Sequence, residues 1–296
     1  SIGNVVYVIN GFNGARSAAL PTDYSVPSDV TIVDVNGDGE PDRAYVADVR
    51  GNLYRIDFPA PADVLNGSKW TATGYGITKI AQLDGKVFFA PDVVVTKDFV
   101  AVLVGTGDRE KPLLVSTADN FFLIKDNVGP PRKIGVNPVV LTKSDLTRVA
   151  KIDNTTMTPG SPNPTNDPEG CYLELATNGE KVVNAPFTIA GATYFGTNRP
   201  KPASSTTCSA DLGEAYAYKF PLFCGVPSKP NPIVGGGLPP SPVGGIVNMV
   251  VDGKPVKMPF IIGSGEGNSS FKPGEPKWPI PPVRSRLNWR IDNTNR

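Results

Sequence analysis

The chain is 296 residues long, with 29 Lys and Arg against 28 Asp and Glu and no histidine. Without histidine there is no Ser-His-Asp or Cys-His catalysis, no His-ligated metal and no imidazole pH switch; a net charge of +1 argues against a broad nucleic-acid footprint. Glycine and proline number 31 each, together about a fifth of the chain and above average usage, so the composition is that of a turn-rich globular protein with a binding or structural role.

Helical periodicity is nearly absent, and short β-branched or aromatic runs closed by Gly, Asn, Asp and Pro predict an all-β chain. The N-terminus, Ser1 to Asn4, has no basic leader and runs straight into a strand from Val5, so the chain reads as a fragment or a processed product. Strands are expected at Val5 to Asn10, Val30 to Val33, Arg43 to Ala47 and Asn52 to Phe58, the last alternating with Tyr54, Ile56 and Phe58 on one face. Further runs are Val87 to Phe89, Val93 to Val95, Val100 to Gly105 and Phe121 to Ile124. The second half repeats the texture at Tyr172 to Ala176, Lys181 to Val183, Thr188 to Ala190, Thr193 to Gly196 and Ala215 to Phe220, with Asn178-Gly179 and Ala190-Gly191 as tight turns. Strands resume at Gly245 to Val251, Val256 to Ile262 and Leu287 to Ile291.

Four short strands and a longer link make the unit of a β-propeller blade. Three such units are marked, near 27–58, 80–126 and 170–221, separated by Pro-rich inserts at Pro159 to Glu169 and Val226 to Pro242, with a third such stretch at Lys272 to Pro282. The 226–242 stretch is expected to be an extended surface connection within one domain spanning 1–296.

Residues 34–42 carry the sharpest chemistry. Oxygen-bearing side chains fall at loop positions 1, 3, 5 and 9, namely Asp34, Asn36, Asp38 and Asp42, and Gly39 stands at position 6 where a sharp turn is needed. Glu40 at position 7 supplies a backbone carbonyl. Hard cations such as Ca²⁺ take six to eight oxygens, and this spacing aims a set of them at one centre. A plain hairpin has no use for three carboxylates that repel one another, so the expected cofactor is calcium. Position 12 is Tyr45 in place of a bidentate Glu, and the flanks are strands, so the loop is EF-hand-like without being an EF-hand.

Other motifs are weaker. Gly105-Thr106-Gly107-Asp108 lacks the Gly-Lys-Ser/Thr of a phosphate loop and reads as a strand-terminal turn. Asp153-Asn154 and Asp167 to Glu169 lack ligand spacing, Ser116 and Ser264 have no histidine partner, and Trp70, Trp278 and Trp289 read as core or loop anchors. Cys171, Cys208 and Cys224 contain no C-x-x-C; in a secreted protein they make one disulfide and one spare thiol, with the pairing open, and the alternative is three buried reduced cysteines. No apolar run reaches the roughly 18 residues of a membrane span.

The acidic loop and the following Arg43-Ala44-Tyr45-Val46-Ala47-Asp48-Val49-Arg50-Gly51-Asn52-Leu53-Tyr54-Arg55-Ile56-Asp57 resemble the C-terminal region of the PilC/PilY1 family of type IV pilus proteins. Val104-Gly105-Thr106-Gly107-Asp108-Arg109, Cys171 to Leu175, Gly179 to Val183 and Ser285 to Arg290 add to the likeness, which is good over 1–225 and looser beyond. The resemblance implies the C-terminal part of a modified seven-bladed β-propeller with long Pro/Gly-rich insertions, located extracellularly at the pilus tip after export through the periplasm. It implies a non-enzymatic role in pilus biogenesis and adhesion, with calcium influencing the balance of extension and retraction. Asp34, Asn36, Asp38, Glu40 and Asp42 match the family's calcium positions, with Asn36 where Asp is frequent. The implied partners are minor pilins, a host or surface ligand, and earlier blades supplied by another chain or a cleaved segment; no nucleic acid or membrane span is expected. The alternatives are a secreted quinoprotein-like propeller enzyme, whose tryptophan docking repeats are absent, and a calcium-stabilised scaffold with no pilus role.

Overall fold

The computed structural model describes residues 2–263 except 60–63, 66–67, 70–73, 116–117, 135–136, 154–155, 163–168, 177, 202–211 and 252–253. Cys208, Ser116, Ser264, the three tryptophans, the Pro-rich stretch at 272–282 and the strand expected at 287–291 lie outside the described residues.

Val5–Ile9 (β1) and Arg16–Pro21 (β2) form a first hairpin. Thr31–Val33 (β3), Arg43–Ala47 (β4) and Asn52–Asp57 (β5) follow as an antiparallel meander. A two-stranded ribbon of Val64–Leu65 (β6) and Ser68–Lys69 (β7) intervenes before Gly76–Gln82 (β8) completes four antiparallel strands on β5. Asp92–Val95 (β9), Phe99–Gly105 (β10) and Asn120–Asn127 (β11) start a second meander. After the small ribbon of Lys133–Ile134 (β12) and Asn137–Pro138 (β13), Leu141–Thr142 (β14) joins the edge of the first sheet in parallel with β8. A 3₁₀ turn at Lys143–Asp145 leads to the hairpin of Thr147–Asp153 (β15) and Thr156–Pro159 (β16). Gly170–Glu174 (β17) then inserts between β11 and β15.

The third meander begins with an interrupted strand. Lys181–Val182 (β18) and Phe187–Ile189 (β19) both pair with Ala192–Arg199 (β20), followed by Glu214–Pro221 (β21) and Asn231–Ile233 (β22). Val243–Val251 (β23) and Lys254–Ile262 (β24) make a separate ribbon.

The three meanders stack face to face, as propeller blades do. Val33, Tyr45, Ala47 and Leu53 of the first sheet pack on Val93, Val100, Val102 and Phe122 of the second. The opposite face of the second sheet, with Ala101, Leu103, Phe121 and Leu123, packs on Phe195, Tyr218 and Phe220 of the third. There the Phe121 and Phe195 rings stack at 3.9 Å. The β1–β2 hairpin covers the outer face of the first sheet against Ala44, Val46, Tyr54 and Ile56, the face that the alternation of β5 predicts. The middle strands of the first and second sheets are therefore buried on both sides. The Cys171–Cys224 disulfide joins β17 of the second sheet to the turn that follows β21 in the third.

The all-β reading and most strand positions hold, but the unit boundaries move. β8 belongs to the first sheet, and residues 170–174 close the second sheet rather than open the third, because β11 offers them a free edge. Val87 to Phe89 is not a strand; Val87 is instead a fully buried plug in the core between the first two sheets. Within the 226–242 stretch, residues 231–233 pair with β21 as the fourth strand of the third sheet. No helix among the described residues is long and apolar enough to cross a membrane.

Candidate metal centre

The acidic loop joins β3 to β4, and its ends are fixed by the ladder pair Val33↔Arg43. Nine residues must therefore leave and re-enter adjacent ladder positions, which Gly37 (φ 82°) and Gly39 (φ 96°) permit by adopting the left-handed region. Asp34, half-buried, accepts Gly37 N–H on Oδ1 at 2.6 Å and Gly39 N–H on Oδ2 at 2.8 Å. Asn36 Oδ1 accepts Asp38 N–H at 2.8 Å, and its amide donates to Asp38 Oδ2 at 2.7 Å. Asp38 Oδ1 accepts the Glu40 N–H at 2.8 Å; Asp38 and Glu40 are exposed. Asp42 is buried, and its Oδ2 accepts Val35 N–H at 2.6 Å and Asn36 N–H at 3.1 Å. Burial pushes the Asp42 carboxyl above the ordinary carboxylate range, against the pull of those two N–H groups, and the charges of Asp34 and Asp38 push the same way.

The structure thus brings all five predicted residues into one loop. The carboxylates of Asp34, Asp38 and Asp42 turn onto the loop's own N–H groups, and among the described residues no three His, Cys, Asp or Glu side chains gather as a metal-ligand group. The donor set nevertheless fits a hard cation in kind: three carboxylates, one amide and a carbonyl position, all oxygen. An ionised carboxylate has about four lone-pair directions, and Asp34 and Asp42 each use two of them on N–H donors.

Directly behind the loop lies a cluster that the sequence reading did not single out. Arg43 and Arg55 are fully buried, beside Asp57, Asp126 and the buried Tyr45. Arg43 donates to the carbonyls of Asn127 (2.6 Å) and Gly129 (2.7 Å), and to that of Val128. Arg55 donates to Asp57 Oδ1 (2.7 Å), Asp126 Oδ2 (3.1 Å) and the Gly129 carbonyl (2.7 Å), and Tyr45 Oη donates to Asp126 Oδ2 at 2.7 Å. Burial pulls the Arg55 guanidinium down, and Asp126 and Asp57 more than offset it, so the net shift is upward. Two cations face two anions, so the cluster is balanced. It joins the loop's exit strand to the end of β11 in the next sheet. The signal available in the sequence was Arg55 and Asp57 standing two apart on β5, hence on one face of the strand.

Gly105 to Asp108 is the strand-terminal turn expected: Gly107 N–H donates to the Lys86 carbonyl at 2.8 Å and Val182 N–H to the Thr106 carbonyl at 3.0 Å. It forms no anion cradle.

No protein-family model matches the chain, and no curated protein matches it in sequence. Among solved structures it is similar to the crystal structure of the Pseudomonas aeruginosa PilY1 C-terminal domain, with a TM-score of 0.61 and 17% identity. The match covers 90% of this chain and 66% of that one, so the chain spans just under two thirds of its neighbour. The stacked sheets of this chain thus share the β-propeller fold of the PilY1 C-terminal domain.

Proposed function

We propose that this protein is a non-enzymatic, calcium-binding surface protein associated with type IV pili, acting in pilus biogenesis and adhesion. The observation that carries the reading is the placement of an all-oxygen acidic loop between the first two strands of a sheet in a PilY1-like fold. Asp34, Asn36, Asp38 and Asp42 would hold the ion with the Glu40 carbonyl. Bound calcium supplies positive charge that relieves the repulsion among the three aspartates and ties the two ends of the loop together. Asp42, buried at the mouth of β4, anchors the loop to Val35 and Asn36, so the ligands enter from a fixed end. Occupancy of this loop biases the balance of pilus extension and retraction; the site of action is the cell surface or pilus tip, and the partners are minor pilins.

Calorimetric titration of the full chain with Ca²⁺ tests the metal site. We expect one site in the wild type and an affinity lowered about tenfold or more in Asp38→Ala, which removes one ligand charge. Equal affinities would remove the site. Pilus number in cells carrying Asp38→Ala then tests the regulatory role, which unchanged piliation overturns. Copurification with pilin subunits separates this reading from a calcium-stabilised scaffold without a pilus role.

A further inference from the structure

The β23–β24 ribbon has two unequal edges. Ile246 stands opposite Pro259 and Val250 opposite Pro255. A proline donates no ladder bond, so these are the non-hydrogen-bonded pairs, whose backbone groups point away from the ribbon. On β24 the outward positions therefore include two residues without an N–H, a blunted edge. On β23 the outward positions are Gly244, Ile246, Asn248 and Val250, all with donors. Among the described residues no strand pairs with that edge; β19 approaches its start, where Phe187 packs near Gly244. β23 has no charged residue in nine, and it exposes Val243 (56%), Ile246 (39%), Met249 (41%) and Val250 (73%). Among the described residues this edge is open, uncharged and apolar, which is the character of a pairing surface.

We infer that β23 pairs antiparallel with β23 of a second copy of this chain, about a two-fold axis at Val247. The strand is self-complementary in the register of full overlap. There the outward residues meet only outward residues, Ile246 with Asn248 of the second copy and Gly244 with Val250, so the hydrogen bonds close. Small faces large, since Gly245 lies opposite Met249 and Gly244 opposite Val250, while Val247 meets its own copy. No like charges are brought together. The product is a four-stranded sheet whose outer strands are both β24, so the proline-bearing edges stop assembly at two copies rather than a fibre. The inference uses no acidic-loop residue and stands apart from the calcium reading.

Site-specific cross-linking of the full chain tests it, in a Cys208→Ser background to remove the third cysteine. Directly opposed residues of a non-hydrogen-bonded pair have Cα atoms about 4.5 Å apart, within disulfide range. Val250→Cys is displaced from its own copy by six residues, roughly 20 Å. Val247→Cys should form a disulfide-linked dimer under mild oxidation at least tenfold faster than Val250→Cys. Ile246→Pro should abolish the dimer seen by light scattering while leaving the melting temperature in place, because it removes an outward N–H and no β23–β24 bond. A monomer at all concentrations, equal cross-linking at both positions, or a dimer indifferent to Ile246→Pro each overturns the inference.

Discussion

Arg43 and Arg55 show what a single buried charge demands. A guanidinium taken out of water costs several kcal/mol unless its donors are met, and here carboxylates and the carbonyls of residues 127–129 take most of them, with Arg43 Nε held 3.5 Å from Asp57 Oδ1. The forked, planar head makes this possible, because one side chain reaches two or three acceptors along a chain segment. Arg43→Ala should therefore lower stability by about 3–5 kcal/mol, since it leaves Asp57 and Asp126 buried with half their counter-charge; urea unfolding followed by fluorescence measures it. Glu180 is a parallel case in the third sheet. It is fully buried and accepts from Thr197 (2.6 Å), Tyr218 (2.7 Å) and Arg199 (2.9 Å). Neither cluster could be read from the sequence. Alternation marks Tyr54, Ile56 and Phe58 as one face of β5, yet whether Arg55 and Asp57 on the other face meet water or a second sheet depends on residues 71 or more positions away.

Among the elements, turns were the best read and strand ownership the worst. Ala190 (φ 50°) and Gly191 (φ 78°) make the tight turn between β19 and β20 that their dipeptide predicts. A turn is set by the conformational preferences of two residues, whereas a strand's sheet is set by which free edge it meets. β17 reads as the start of a third unit and is taken instead by β11. β8 carries β-branched Ile77, Thr78 and Ile80, yet local pattern does not say which sheet it joins, and it pairs with β5 of the first. Gly107 illustrates contact between elements: a Cβ built there would lie 2.5 Å from the Val182 carbonyl oxygen at the start of the third sheet. That neighbour is backbone and cannot rotate aside. Gly107→Ala should cost about 1–3 kcal/mol by overpacking, read as a lowered thermal midpoint with the second and third sheets loosened together.

At the scale of the whole molecule the sheets are held by their stacked faces and by one crosslink. Cys171 and Cys224 are 53 residues apart, with Cα atoms at 5.8 Å, and both are fully buried. In the chain-entropy account a closed loop of that length stabilises by about 4 kcal/mol. Cys171→Ser should lower the free energy of unfolding by that amount, and the wild type under reducing conditions should show the same displacement of its urea midpoint. A midpoint unmoved by reduction would mean that the packing of Phe121, Phe195 and Phe220 alone holds the second and third sheets together.

The sequence by itself determined what is local: short strands, their closing turns, and the alternation of oxygen-bearing side chains along one acidic loop. Those follow from residue-by-residue backbone preference and from spacing, which a linear reading contains. Only the tertiary structure decided that Cys171 pairs with Cys224, that residues 231–233 become a strand, and that two arginines are buried behind the acidic loop. Each of these rests on contacts between segments distant in the chain, where stacking one sheet on the next chooses among partners that local chemistry leaves equal.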